Sequence, residues 1–116
     1  MHVVRLSDAP TYEAPGHSGM ELRRLQGREA GLSDTLWIGR SVLEPGGRTD
    51  LRASRLEKFY VVLEGRLTVS TATAEDVLAA GDSCRIAPHE ARELRNDTEG
   101  RVVVLLAMPL EDAAPA

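Results

Sequence analysis

The feature that most constrains this chain is a rhythm of short apolar segments, none longer than a strand, broken by glycine, proline and aspartate. The segments run over residues 19–25, 35–43, 58–63, 67–70, 76–79, 83–87, 91–96 and 102–108. Between them stand Pro45-Gly46-Gly47, Glu64-Gly65, Gly81-Asp82, Asn96-Asp97 and Glu99-Gly100, all of which carry turn chemistry. Many short strands at regular spacing predict an all-β sandwich or barrel. Residues 51–58 compete best for a helix, being charged and free of Gly and Pro. The adjoining Phe59-Tyr60-Val61-Val62-Leu63, β-branched and aromatic and ended by Gly65, decides for strand. Residues 74–80 are too short for a helix with a second apolar turn and read as a strand at a hairpin.

The length of 116 residues fits one domain. The expected organisation is an N-terminal arm over residues 1–18, a barrel over 19–110 and an Ala/Pro tail over 111–116. Hydrophobic residues make up 42% and charged residues 28%, a globular balance that argues against disorder. A formal net charge of −4 opposes nonspecific nucleic-acid binding, which needs a positive field. The single cysteine, Cys84, excludes an internal disulfide and a CxxC site and fits a reducing compartment. Residues 1–10 lack the apolar core of a signal peptide. The longest apolar run, residues 102–108, is far short of the roughly 20 residues that cross a bilayer. The expectation is a soluble cytoplasmic protein without membrane or nucleic-acid partners.

Two stretches resemble the paired motifs of the cupin family. From Gly46 through Tyr60 to Gly65 the chain is similar to the first motif: a glycine, five residues, His-x-His, three or four residues, Glu, six residues, Gly. From Gly81 through Pro88 to Asn96 it is similar to the second: Gly, five residues, Pro-x-Gly, two residues, His, three residues, Asn. The short segment between them, residues 66–80, matches bacterial single-domain cupins, and the resemblance covers about residues 35–108. It implies a cupin-type β-barrel, the double-stranded β-helix or jelly roll, and a homodimer.

The departures from the motifs bear on function. Anchored on Gly46 and Gly65, the two histidine positions hold Arg52 and Ser54, and the glutamate position holds Lys58. Anchored on Gly81 and Asn96, the last histidine position holds Arg92, while Ala87 replaces the proline and His89 the glycine. Arginine and lysine offer donors rather than lone pairs, and ordinary transition-metal sites need imidazole, carboxylate or thiolate. Glu57, His89, Glu90 and Cys84 lie close enough in sequence to be considered as substitutes, but Glu57 points away from Lys58 in a strand. The expectation is no metal and no cofactor.

The resemblance implies that Arg52, Lys58 and Arg92 converge inside the barrel. Alternation agrees in part: Lys58, Tyr60 and Val62 share one strand face, and Arg92, Leu94 and Asn96 share another. Like charges buried together need counter-charge, from Glu57, Glu90, Glu93 or a bound anion. Guanidinium groups fork onto carboxylate or phosphate. The resulting site assigns Arg52, Ser54, Arg92 and His89 to binding a small anionic molecule, with Lys58 and Tyr60 as general acid and base. Each has a plainer alternative. Arg52 and Ser54 could lie on a solvated loop, Lys58 could snorkel to water, Arg92 could join the charged run 90–95, and Tyr60 could be core. His89 and His17 read more readily as solvated loop residues, although cupin N-termini often cover the barrel mouth. Trp37 reads as core or dimer contact, and Cys84 as a small buried hydrophobe.

Three functional classes follow. The first is a metal-independent enzyme that stabilises an enolate during isomerisation, cyclisation or decarboxylation of a small carboxylate. The second is a non-catalytic binding or sensing module. The third is a metal-dependent oxygenase with an atypical ligand set.

Overall fold

The computed structural model describes residues 1–110. Among the described residues the chain forms nine strands: β1 (Thr11–Tyr12), β2 (His17–Gln26), β3 (Leu36–Thr49), β4 (Lys58–Glu64), β5 (Leu67–Thr71), β6 (Glu75–Leu78), β7 (Ser83–Ile86), β8 (Arg92–Arg95) and β9 (Val102–Pro109). Single 3₁₀ turns occupy Leu6–Asp8 and Arg28–Ala30. All pairings are antiparallel. The sheet runs β6-β5-β8-β3-β9-β4-β7, with β2 added to β3 and β1 to β2, and curls into a nearly closed barrel. This is the all-β cupin-type barrel expected from the strand rhythm and the two motifs. Residues 50–57 carry no helix.

β3 is where the chain departs from its sequence reading. Pro45-Gly46-Gly47 was expected to be a turn, yet β3 runs straight through it. The first half of β3 pairs with β9, from Leu36↔Pro109 to Leu43↔Val102. Its far end meets β8, where Arg48 faces Arg95. The strand bends between these partners, and Gly46 takes a φ of +83°, open to glycine. The Gly46 N–H donates to the Asn96 carbonyl at 3.0 Å, and the Asn96 N–H donates to the Gly47 carbonyl at 2.9 Å. A Cβ at Gly47 would strike the Gly19 carbonyl oxygen of β2.

The interior is filled from alternating positions. Leu43, Val62, Leu67, Val102 and Val104 are fully enclosed, and Leu94 and Ile86 are nearly so. Each such side chain contributes about 1.5–3 kcal/mol of transfer free energy. Val103 is buried as well as its neighbours, so β9 is covered on both faces. On β4, Lys58, Tyr60 and Val62 point inward while Phe59 and Leu63 are exposed. On β8 the inward set includes Arg92 and Leu94, and Asn96 follows just beyond the strand. The anticipated arm boundary at residue 18 falls inside β2, because β1 and the start of β2 are already part of the sheet. The tail over residues 111–116 lies outside the described residues.

Candidate functional site: a cationic cavity

One end of the barrel interior is a cavity of about 330 Å³, with Lys58 and Arg92 in its wall. Lys58, first residue of β4, is only 6% exposed, and Arg92, first residue of β8, only 7%. The Lys58 Nζ donates to the Ser54 Oγ at 2.5 Å. Burial lowers the pKa of Lys58 below its ordinary value, and the nearby Arg92 charge lowers it further. Arg92 donates from Nε to the Tyr60 hydroxyl at 2.9 Å and from a terminal nitrogen to the Asp50 carbonyl at 3.4 Å. Burial pushes the Tyr60 phenol up, although Arg92 pulls the other way. Tyr60 therefore stays protonated at neutral pH, and since its oxygen accepts from Arg92, its own hydrogen is free to donate.

The carboxylates considered as counter-charge lie elsewhere. Glu57 pairs with Arg85 on the exposed side of β7. Glu90 accepts the Ala87 N–H at 2.9 Å, and Glu93 pairs with Arg48 at 2.7 Å and Arg95 at 2.8 Å. Among the described residues, neither Lys58 nor Arg92 has an ion-pair partner. Among the described residues Glu13, exposed on the segment before β2, is the single carboxylate in the cavity wall.

The opposite wall is aromatic. Tyr12 and Trp37 meet edge to face with centroids 5.9 Å apart. The Arg24 guanidinium lies 3.5 Å from the Tyr12 ring centroid and 4.2 Å from that of Trp37, and its Nε donates to Glu29 at 2.7 Å. His17 completes this side. Its Nδ1 is 2.9 Å from the Pro15 carbonyl. Burial lowers its pKa, Arg92 and Arg52 add to that, and the Pro15 hydrogen bond and Asp50 oppose it.

The structure thus brings Lys58, Tyr60, Arg92 and Ser54 together. Arg52 is exposed beside the rim: its backbone bridges that of Arg92, and its side chain is 3.5 Å from Asp50. His89 stands outside the cavity on an exposed turn at a φ of +69°, its N–H bonded to the Ser54 carbonyl. Trp37 is core, as one of its two readings had it. Cys84 is half-buried against the core, and burial raises its thiol pKa. Sequence reasoning missed Tyr12, Glu13 and Arg24 and set His17 aside. These lie before both motifs, and only the pairing of β2 with β3 carries them to the cavity.

Residues 39–108 match the family defined by the cupin domain. The chain belongs to the cupin family. A Mycobacterium tuberculosis protein named as a β-D-galactosidase is 41% identical over 116 residues, covering 98% of this cupin and all of its relative. Among solved structures, the polyketide cyclase RemF of Streptomyces resistomycificus superposes with a TM-score of 0.83 at 19% identity, over 94% of this cupin and 79% of that chain. A predicted oxalate decarboxylase of Thermotoga maritima gives 0.79 at 23%, over 93% and 98%. A sugar phosphate isomerase of Silicibacter pomeroyi gives 0.78 at 21%, over 92% and 74%. At such identities the structural likenesses carry the fold alone.

The metal positions of the family do not suit a metal in this cupin. Two cationic side chains and a serine already bonded to one of them surround the space, and the fourth position, Arg52, faces solvent. Among the described residues, no three of His, Cys, Asp and Glu are grouped to share an ion. No helix among them is long and apolar enough to cross a membrane.

Proposed function

We propose that this cupin binds a small anionic organic molecule, of the size of a sugar acid, in its cationic cavity and moves protons on it without a metal. The observation that carries this reading is the pair of buried cations, Lys58 and Arg92, with no carboxylate partner among the described residues. A buried charge without a counter-ion is costly, and a bound carboxylate or phosphate relieves that cost through bidentate and point-charge contacts. Tyr12 and Trp37, with the Arg24 guanidinium stacked on them, give the body of the ligand a partly apolar wall. Lys58, Arg92 and Ser54 line the anion position, Lys58 and Tyr60 also donate protons there, and Arg52 sits at the rim. Isomerisation, cyclisation and decarboxylation all suit donors that hold a developing enolate. The active unit is a homodimer formed through the outer sheet face, where Leu36, Phe59 and Leu63 are exposed.

Calorimetry with D-galacturonate and D-galactose tests the anion reading, since the two sugars differ in the carboxylate. Galacturonate is expected to bind at least about tenfold more tightly, the equivalent of about 1.4 kcal/mol. Equal affinity would overturn the reading. A second reading, β-galactoside hydrolysis, is favoured by the full-length relative at 41% identity. Against it stands the cavity wall, where among the described residues Glu13 has no second carboxylate to complete the pair most glycosidases use. Turnover of 4-nitrophenyl β-D-galactopyranoside, lost in Glu13→Gln, would move hydrolysis to the front.

A further inference from the structure

Of the titratable side chains in the cavity wall, His17 is the one whose ring nitrogens point to a chemical role. The Nδ1 of His17 faces the carbonyl oxygen of Pro15. A carbonyl can only accept, so Nδ1 carries the ring hydrogen, and in the neutral imidazole the lone pair falls on Nε2. Among the described residues Nε2 has no hydrogen-bond partner. The charged groups around the ring come from every neighbouring element: Glu13 from the segment before β2, Arg24 from β2, Asp50 and Arg52 from the loop after β3, Lys58 from β4 and Arg92 from β8. Cations outnumber carboxylates there, and burial acts in the same direction, so the ring is neutral at neutral pH.

We infer that His17 is the proton acceptor of the cavity, its Nε2 taking a proton from a carbonyl-bearing carboxylic acid whose anionic end lies on Lys58 and Arg92. This rests on the anion reading above. In the step, the C–H bond beside the carbonyl breaks and its electron pair moves onto the carbonyl oxygen as an enolate. The proton forms a new N–H bond on Nε2. Return of that proton to the same carbon restores neutral His17, and no co-reactant is consumed. The enolate forms beside the two cations, where its charge is stabilised most.

Bromoacetate probes this arrangement directly. Its carboxylate seats on Lys58 and Arg92, and the Nε2 lone pair displaces bromide, an N–C bond forming as the C–Br bond breaks. Peptide mapping by mass spectrometry compares the rate at His17 with that at exposed His89. His17 is expected to react at least about tenfold faster with bromoacetate but not with neutral bromoacetamide, as held reactants do. Excess D-galacturonate should protect it, and the rate should rise with pH through a midpoint below 6.5. If galacturonate binds but His17 reacts no faster than His89, the role of His17 is overturned and the anion reading stands. If His17 reacts fast with both reagents and galacturonate does not bind, the anion reading fails and the inference fails with it.

Discussion

Two buried polar regions of this barrel are built on opposite terms. At the bend of β3, Asn96 is 1% exposed and every arm of its side chain is used. Its amide donates to the carbonyls of Leu43 at 2.9 Å and Gly100 at 2.8 Å, and its oxygen accepts the Thr98 N–H at 2.9 Å and hydroxyl at 2.6 Å. In the cavity, Lys58 and Arg92 are almost as deeply buried but among the described residues meet only neutral oxygens from Ser54, Tyr60 and the Asp50 carbonyl. A satisfied network fixes a corner and adds to stability. A pair of charges held without counter-charge lowers stability unless something arrives to complete it. The first is architecture, and the second is a receptor for negative charge.

The contrast can be broken at either end. Asn96→Ala removes partners from four groups at once, and a loss of about 2–4 kcal/mol is expected, a fall in Tm of roughly 10 °C or more. Calorimetric melting showing a drop of only a degree or two would mean the corner holds without its plug.

Lys58→Met should do the opposite. Stability should stay level or rise by up to about 2 kcal/mol, because a buried charge gives way to apolar volume. Affinity for D-galacturonate should fall by about 2 kcal/mol, roughly thirtyfold. The alkaline pH profile sharpens this. With its folded pKa below 10.5, Lys58 loses its proton in the native state while the unfolded chain still holds one. Wild-type stability should therefore rise with pH between the lowered value and 10.5, and the rise should be missing from Lys58→Met. Chemical denaturation across that range measures it, and parallel curves would show that Lys58 is solvated.

The smallest effect is expected at Glu57→Gln. Its partner Arg85 has a side chain 55% exposed, so the pair contributes less than about 0.5 kcal/mol, and galacturonate affinity should not move. A clear rise in affinity would show that Glu57 screens the cavity after all.

How far the sequence revealed this can be read from single residues. Strand alternation alone turns Lys58, Tyr60 and Val62 inward together and Arg92 with Leu94 on β8, and it turns Glu57 away from them. Those are local periodicities, and they survive folding intact. Pro45-Gly46-Gly47 was misread because its composition is that of a turn. What holds it extended is Asn96, some fifty residues away along the chain, and no local pattern reports that bond. The aromatic wall was hidden for the same reason. Tyr12, Arg24 and Trp37 come from three strands, and only register brings Arg24 over both rings. His17 looked like a loop residue between Gly16 and Ser18 because its importance lies in what packs across from it.

The place of Trp37 has a practical consequence. It is the chain's one tryptophan, and it stands in the cavity wall beneath the Arg24 guanidinium. A ligand seated in the cavity would lie against this one indole, so excitation at wavelengths that tyrosine does not absorb gives an unlabelled sample a signal with which to screen a library of acids.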